Sequence, residues 1–175
     1  MIRALIPLLV FLGLGAFFAV GLTKDPSQLP SELINRPMPA FSLTELQDEQ
    51  TVLDESLFAG RVSVLNVFGS WCTACLAEHP VLMGAAARKQ AVMIGMDWRD
   101  SRKDGQAWLR AHGNPYSQII FDEASQLAIK LGVTGAPESF IIDKSGHIRY
   151  KHTGIITHED WAQRLHPLIE RLKAE

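Results

Sequence analysis

A run of β-branched and apolar residues, V-S-V-L-N-V-F at positions 62–68, lies between Gly60 and Gly69 and is followed at once by Trp71-Cys72-Thr73-Ala74-Cys75. Such a run, with no polar alternate face, is what a strand buried on both sides of a sheet requires. The Ala-, Leu- and Met-rich residues from Cys72 to about Arg88 favour a helix. A buried strand feeding a helix whose first turn carries two cysteines ties the chain to alternating strand and helix packed around one sheet.

The helix start also dictates what the cysteines do. Unpaired amides and the positive end of the helix dipole favour a thiolate over a thiol. Cys72 falls at the cap beside Trp71 and reads as the attacking thiol, whereas Cys75 lies one turn inside and reads as the resolving thiol of a reversible two-electron switch. A bridge between them closes too small a loop to restrain the unfolded chain much, so its value is chemical rather than structural. Half of a zinc site is the alternative, but such sites usually need about four close ligands. Here only His79 stands nearby, and the chain is read as holding neither a metal nor a cofactor.

The remaining chain continues the alternation. Short strands are expected at 41–46 and 50–53, a strand at 90–97, a helix at 103–112, a strand at 118–122 and a helix at 123–131. Residues 139–143 and 147–152 flank Lys144-Ser145-Gly146, a hairpin signal. Apolar residues at Trp161, Leu165, Leu168, Ile169 and Leu172 mark one face of a closing helix over 158–173. The expected class is α/β, with a mixed central β-sheet flanked by helices. Trp98, Trp108 and Trp161 read as packing residues, and the histidines at 112, 147, 152, 158 and 166 lack ligand spacing.

Residues 4–23 carry no charge and are about long enough to cross a hydrocarbon core of roughly 30 Å as a helix. A cleaved signal peptide is the rival reading, with Ala19-Val20-Gly21 as a poor cleavage site. Either way the remainder is expected to be exported. The prolines at 26, 30, 37 and 39 describe an extended spacer. The expected division is an anchor over 1–24, a linker over 25–36 and one domain over 37–175. With 17 basic and 19 acidic residues and a net charge of -2, the chain has no clustered basic face for nucleic acid.

Positions 68–80, F-G-S-W-C-T-A-C-L-A-E-H-P, resemble the W-C-x-x-C segment of thioredoxin-like proteins, and positions 132–140, G-V-T-G-A-P-E-S-F, resemble that fold's cis-proline loop. Together with I-I-D-K-S-G-H-I-R-Y-K-H-T-G and the apolar N-terminus, they are similar to the CcmG/DsbE family over nearly the whole chain. The resemblance implies a thioredoxin-like fold with an N-terminal transmembrane helix, single-pass in the bacterial inner membrane with its catalytic domain facing the periplasm. It implies a reductant of cytochrome c maturation, acting on apocytochrome c or on partner thiol proteins, with electrons from a DsbD- or CcdA-like membrane donor. A general exported reductase or oxidase, or a non-redox docking module for an apocytochrome, are the alternatives.

By the same resemblance Pro137 is the cis-proline, with Ala136 and Pro137 lining a groove where backbone groups pair with an extended partner. Glu78 and Glu138 match acidic positions near the family's active site, where a carboxyl raised by burial exchanges a proton with a thiol. Trp71 supports the pair. Two departures stand out: Asn66 occupies the place of the buried aspartate of many thioredoxins, leaving that role to Glu78, and Thr73-Ala74 between the cysteines lacks the frequent proline.

Overall fold

The structure is a computed structural model describing residues 7, 10–15, 17–18 and 32–175. The anchor expected over 1–24 and the linker expected over 25–36 fall largely outside the described residues. Among the described residues no helix is long and apolar enough to cross a membrane.

Strands β1 (Ser42–Thr44) and β2 (Val52–Asp54) pair antiparallel as a separate ribbon. The main sheet is formed by β3 (Ser63–Phe68), β4 (Val92–Trp98), β5 (Gln118–Asp122), β6 (Glu138–Ile142) and β7 (Ile148–Thr153), in the order β5-β4-β3-β6-β7. The pairs β3/β4 and β4/β5 are parallel, joined by helices α1 (Thr73–Ala87) and α2 (Arg102–His112); β3/β6 and β6/β7 are antiparallel. The sheet is therefore mixed and β3 is its centre, every residue of it buried.

Local chemistry sets the element ends. The helix expected to begin at 123 begins instead at Gln126 (α3, Gln126–Lys130), because the Asp122 carboxylate accepts from the amides of Gln126, Leu127 and Ala128 and so caps the helix from the strand end. The β6-β7 turn is held by Asp143, whose Oδ1 accepts from Ser145 N, Ser145 Oγ and His147 N. Gly146 supplies the positive φ of 80° there. Residues 35–38 join the domain at this hairpin, with Asn35 N donating to Ile148 O at 2.7 Å and Met38 N to Gly146 O at 2.8 Å. The chain closes through α4 (His158–Asp160), a π-helical stretch Trp161–Leu165 and α5 (His166–Ala174), opened by a capping box between Thr157 and Asp160.

Two apolar clusters cover the two faces of the sheet. One gathers Val64, Phe68, Cys72, Cys75, Leu82, Met93, Trp108, Tyr116, Ile141 and Trp161, under α1, α2 and the closing helices. The other gathers Leu65, Val67, Ile94, Met96, Phe140 and Ile142 with Phe58 and Leu127. Side chains alternate across a strand, so Asn66, Asp97 and Ser139 point toward the face that holds the cysteines. Glu138 points to the other.

Candidate active site

The central strand ends at Phe68 and the chain turns through Gly69, Ser70 and Trp71 into α1. A Cβ at Gly69 would overlap the Trp71 indole, so any larger residue here would have to displace that side chain from the turn. Ser70 is held by Asp100, which accepts from Ser70 N at 2.5 Å and Ser70 Oγ at 2.9 Å. Trp71 is 51% exposed, and its indole Nε1 donates to Trp98 O at 3.1 Å. Cys72 is the N-cap residue of α1, with φ −92° and ψ 98°, and its Sγ accepts from Cys75 N at 3.0 Å. The two cysteines form a disulfide with an S–S length of 2.01 Å. The positioning expected from sequence is observed, with both sulfurs packed in the α1/α2 core and the first at the helix terminus.

The Ala136-Pro137 bond is cis. The β3/β6 register sets Glu138 opposite Val67, which brings Pro137 to the end of β3 where the cysteine turn begins. Pro137 O accepts from Gly154 N at 2.9 Å. Ala136 packs against the cluster containing both cysteines and also against the cluster on the opposite face. Around this mouth Trp71, Leu76 and Ile155 are exposed apolar side chains.

Glu78 lies on α1 three residues beyond Cys75, the spacing that shares a helix face, and is fully buried. Its Oε1 accepts from Asn66 Nδ2 at 2.7 Å and its Oε2 from Ile156 N at 2.8 Å. Burial dominates over these two bonds and raises its pKa to about 7. Glu138, also fully buried, has a different setting: Oε1 accepts from Thr134 N and Thr134 Oγ1, and Oε2 forms an ion pair with Lys151 Nζ at 2.9 Å. It secures the loop before Pro137 on the opposite sheet face from Glu78. His79 packs edge-on against Trp108 with Nε2 3.1 Å from Gly113 O. Among the described residues no group of three or more His, Cys, Asp or Glu is placed to hold a metal ion.

The Redoxin family matches residues 34–164. The thiol:disulfide interchange protein DsbE of Allochromatium vinosum is 41% identical over 169 residues, covering 97% of this chain and 93% of the relative. DsbE of Escherichia coli K12 is 38% identical over 177 residues, covering 98% and 95%. The chain belongs to the DsbE family. Solved structures agree on the thioredoxin-like fold: a secreted thiol-disulfide isomerase from Corynebacterium glutamicum superposes with a TM-score of 0.68 at 24% identity, over 84% of this chain and 96% of that one. A DsbF homologue from Corynebacterium diphtheriae gives 0.64 at 20% identity, over 80% and 94%. With this membership and the Cys72–Cys75 pair at a helix terminus, the chain is a thiol-disulfide oxidoreductase.

Within this DsbE site, three buried polar residues escaped the sequence reading. Tyr116 donates its hydroxyl to Asn66 Oδ1 at 2.6 Å, and Ser139 Oγ accepts from Asn66 Nδ2 at 2.9 Å, so Asn66 is the hub of a network that ends at Glu78. Tyr116 is stacked on Phe68 at 5.1 Å, and burial raises its pKa well above the ordinary value. Asp97, at the end of β4, is buried and among the described residues its carboxyl meets only the Asp100 side chain as a hydrogen-bond partner. An acid at the end of the run V-M-I-G-M-D-W, on the parity that faces the cysteine helix, was the available signal.

Proposed function

We propose that this chain is a reductant of cytochrome c maturation, tethered to the bacterial inner membrane by residues 1–24 with its catalytic domain in the periplasm. It reduces disulfides of apocytochrome c, or of partner thiol proteins, so that haem can be attached, and is itself re-reduced by a DsbD- or CcdA-like membrane donor. The observation that carries the reading is the Cys72–Cys75 pair at the start of α1, facing the Ala136-Pro137 turn within a rim of exposed Trp71, Leu76 and Ile155. An apolar rim beside a cis-proline turn suits an extended polypeptide partner.

The reaction starts from the dithiol. The Cys72 thiolate attacks one sulfur of the partner disulfide, forming a mixed disulfide and releasing the partner's other sulfur as a thiolate that takes up a proton. Cys75 then gives up its proton and attacks the Cys72 sulfur, releasing the second partner thiolate and leaving the Cys72–Cys75 disulfide. Two electrons pass to the partner. Glu78, on the same helix face as Cys75 with a pKa of about 7, is suited to receive the Cys75 proton near neutral pH.

The test is capture with the Cys75→Ala variant of the full chain in cells that make c-type cytochromes. A mixed disulfide with apocytochrome c or a maturation thiol protein is expected. Capture of unrelated exported proteins alone would replace this reading with a general exported reductase. Equilibration of the Cys72/Cys75 pair with glutathione buffers fixes its direction, and a potential near that of strong oxidants would overturn the reductant assignment.

A further inference from the structure

Asp97 is fully buried, and among the described residues its carboxyl finds no hydrogen-bond partner other than the neighbouring Asp100 carboxyl. A buried acid whose sole partner is a second acid demands a reason, because one of the two must carry the shared proton or both charges must be buried at a cost. Its surroundings are specific. On one side it abuts α2, where a Cβ at Gly105 would overlap its Oδ2, so helix backbone rather than water covers it. Across the sheet it is in register with Phe68, the last residue before the cysteine turn. On the third side stands Asp100, whose carboxylate accepts three donors, Ser70 N, Ser70 Oγ and Ser101 N.

The charged and titratable groups facing Asp97 are few. Burial disfavours its ionised form most, Asp100 disfavours it further through both its charge and a hydrogen bond to the protonated acid, and Arg102 from α2 favours it. Tyr116, before β5, feels the charge of both Asp97 and Glu78. Asp97 is therefore held neutral, with a pKa of about 8. Two carboxyls this close share one proton readily and resist carrying two charges.

We propose that Asp97 is a positioning residue for the active disulfide: as the neutral acid it lets the Asp100 carboxylate hold the Ser70 turn that presents Trp71 and Cys72, and as the anion it displaces that carboxylate and releases the turn. The chain thereby carries an alkaline switch on the geometry of its attacking cysteine. The switch rests on the oxidoreductase reading of the Cys72–Cys75 pair, but not on its direction or its partner. Asp97 touches no reacting atom in this account; it acts through Asp100 and Ser70.

The test separates the switch from the thiol chemistry. In the oxidised full chain, where no thiol titrates, Trp71 emission followed from about pH 6 to about pH 9.5 is expected to show a step near pH 8 that vanishes in Asp97→Asn. Asp100→Asn should move the step to lower pH, because the repelling charge is gone, and carbon NMR of the aspartate carboxyls reports the same titration in the unaltered chain. In the reduced protein, the alkylation rate of Cys72 should carry a second inflection of roughly threefold or more near the same pH, absent from Asp97→Asn. If Asp97→Asn keeps the emission step, or if the carboxyl signal of Asp97 titrates at an ordinary acidic pH, the switch is wrong whatever the partner of the disulfide proves to be. A purely structural Asp97 would alter rates equally at all pH values and leave no step to remove, which would also overturn it.

Discussion

Glu78 accepts from Asn66 Nδ2 at 2.7 Å across the gap between α1 and β3, while its second oxygen accepts from Ile156 N at 2.8 Å. One carboxyl thus joins the cysteine helix to the central strand and to the segment after β7, and the Asn66 hub extends the connection to Tyr116 and Ser139. These donors are all uncharged, so nothing offsets the desolvation of the carboxylate beyond the two bonds themselves.

Stability should therefore fall with pH through Glu78. Its pKa rises from the ordinary 4.5 to about 7 on folding, so the folded protein keeps a proton that the unfolded chain releases over that window. The contribution is complete below pH 4.5, is lost as pH rises through about 7 and is flat above. Glu78→Gln removes this slope but turns an amide N–H toward one of the two donors, a constant cost of about 1–2 kcal/mol. In urea unfolding, the stability of the native chain minus that of the variant should decline by on the order of 1–3 kcal/mol between about pH 5 and about pH 7.5. A difference independent of pH would remove Glu78 from the titrating groups.

Cys72 should be the faster cysteine to alkylate in the reduced protein near neutral pH. It caps α1, where the amide of Cys75 points at its sulfur, and this favours its thiolate. An advantage of about tenfold or more over Cys75, read by mass spectrometry of partially alkylated protein, is expected. The reverse order would exchange the attacking and resolving roles.

Lys151→Met should cost far more than an exposed ion pair is worth. Lys151 Nζ lies 2.9 Å from Glu138 Oε2, 2.7 Å from Gly132 O and over the Phe140 ring, and Glu138 is fully buried. Removing the cation leaves a buried carboxylate with only Thr134 as partner, for which about 3–5 kcal/mol of destabilisation is expected. Glu138→Gln, which keeps an acceptor for Thr134, should cost less. Urea midpoints of the two variants give the comparison, and equal small losses would mean that the pair is effectively solvated.

Gly105→Ala should destabilise the chain even though alanine favours a helix by about 1 kcal/mol over glycine. The added Cβ would run into the Asp97 carboxyl, which the helix backbone covers at this point. Overpacking of that kind costs about 1–3 kcal/mol, so a lowered thermal midpoint is expected. A raised midpoint would show that the Asp97 side chain has room to turn away.

The sequence alone determined whatever depends on neighbours along the chain. The apolar run into β3, the cysteines at the start of α1, the Lys144-Ser145-Gly146 hairpin and the amphipathic closing helix are all local patterns, in which period and end chemistry act within a few residues. Tertiary structure decided the surroundings of the buried acids. Glu78 and Glu138 read alike as acids beside the two family signatures, yet Glu78 sits on α1 over the cysteine face of the sheet whereas the strand parity of Glu138 on β6 turns it to the other face. Glu138 meets Lys151, and Glu78 meets only the neutral donors of Asn66 and Ile156, the latter 78 positions away in sequence. Asp97 needed still more: its burial beside Asp100 follows from the β3/β4 register, from Gly105 on α2 and from the turn that brings Asp100 to Ser70. A carboxyl's pKa is set by what replaces its water, and in this fold those replacements come from elements far apart in the chain.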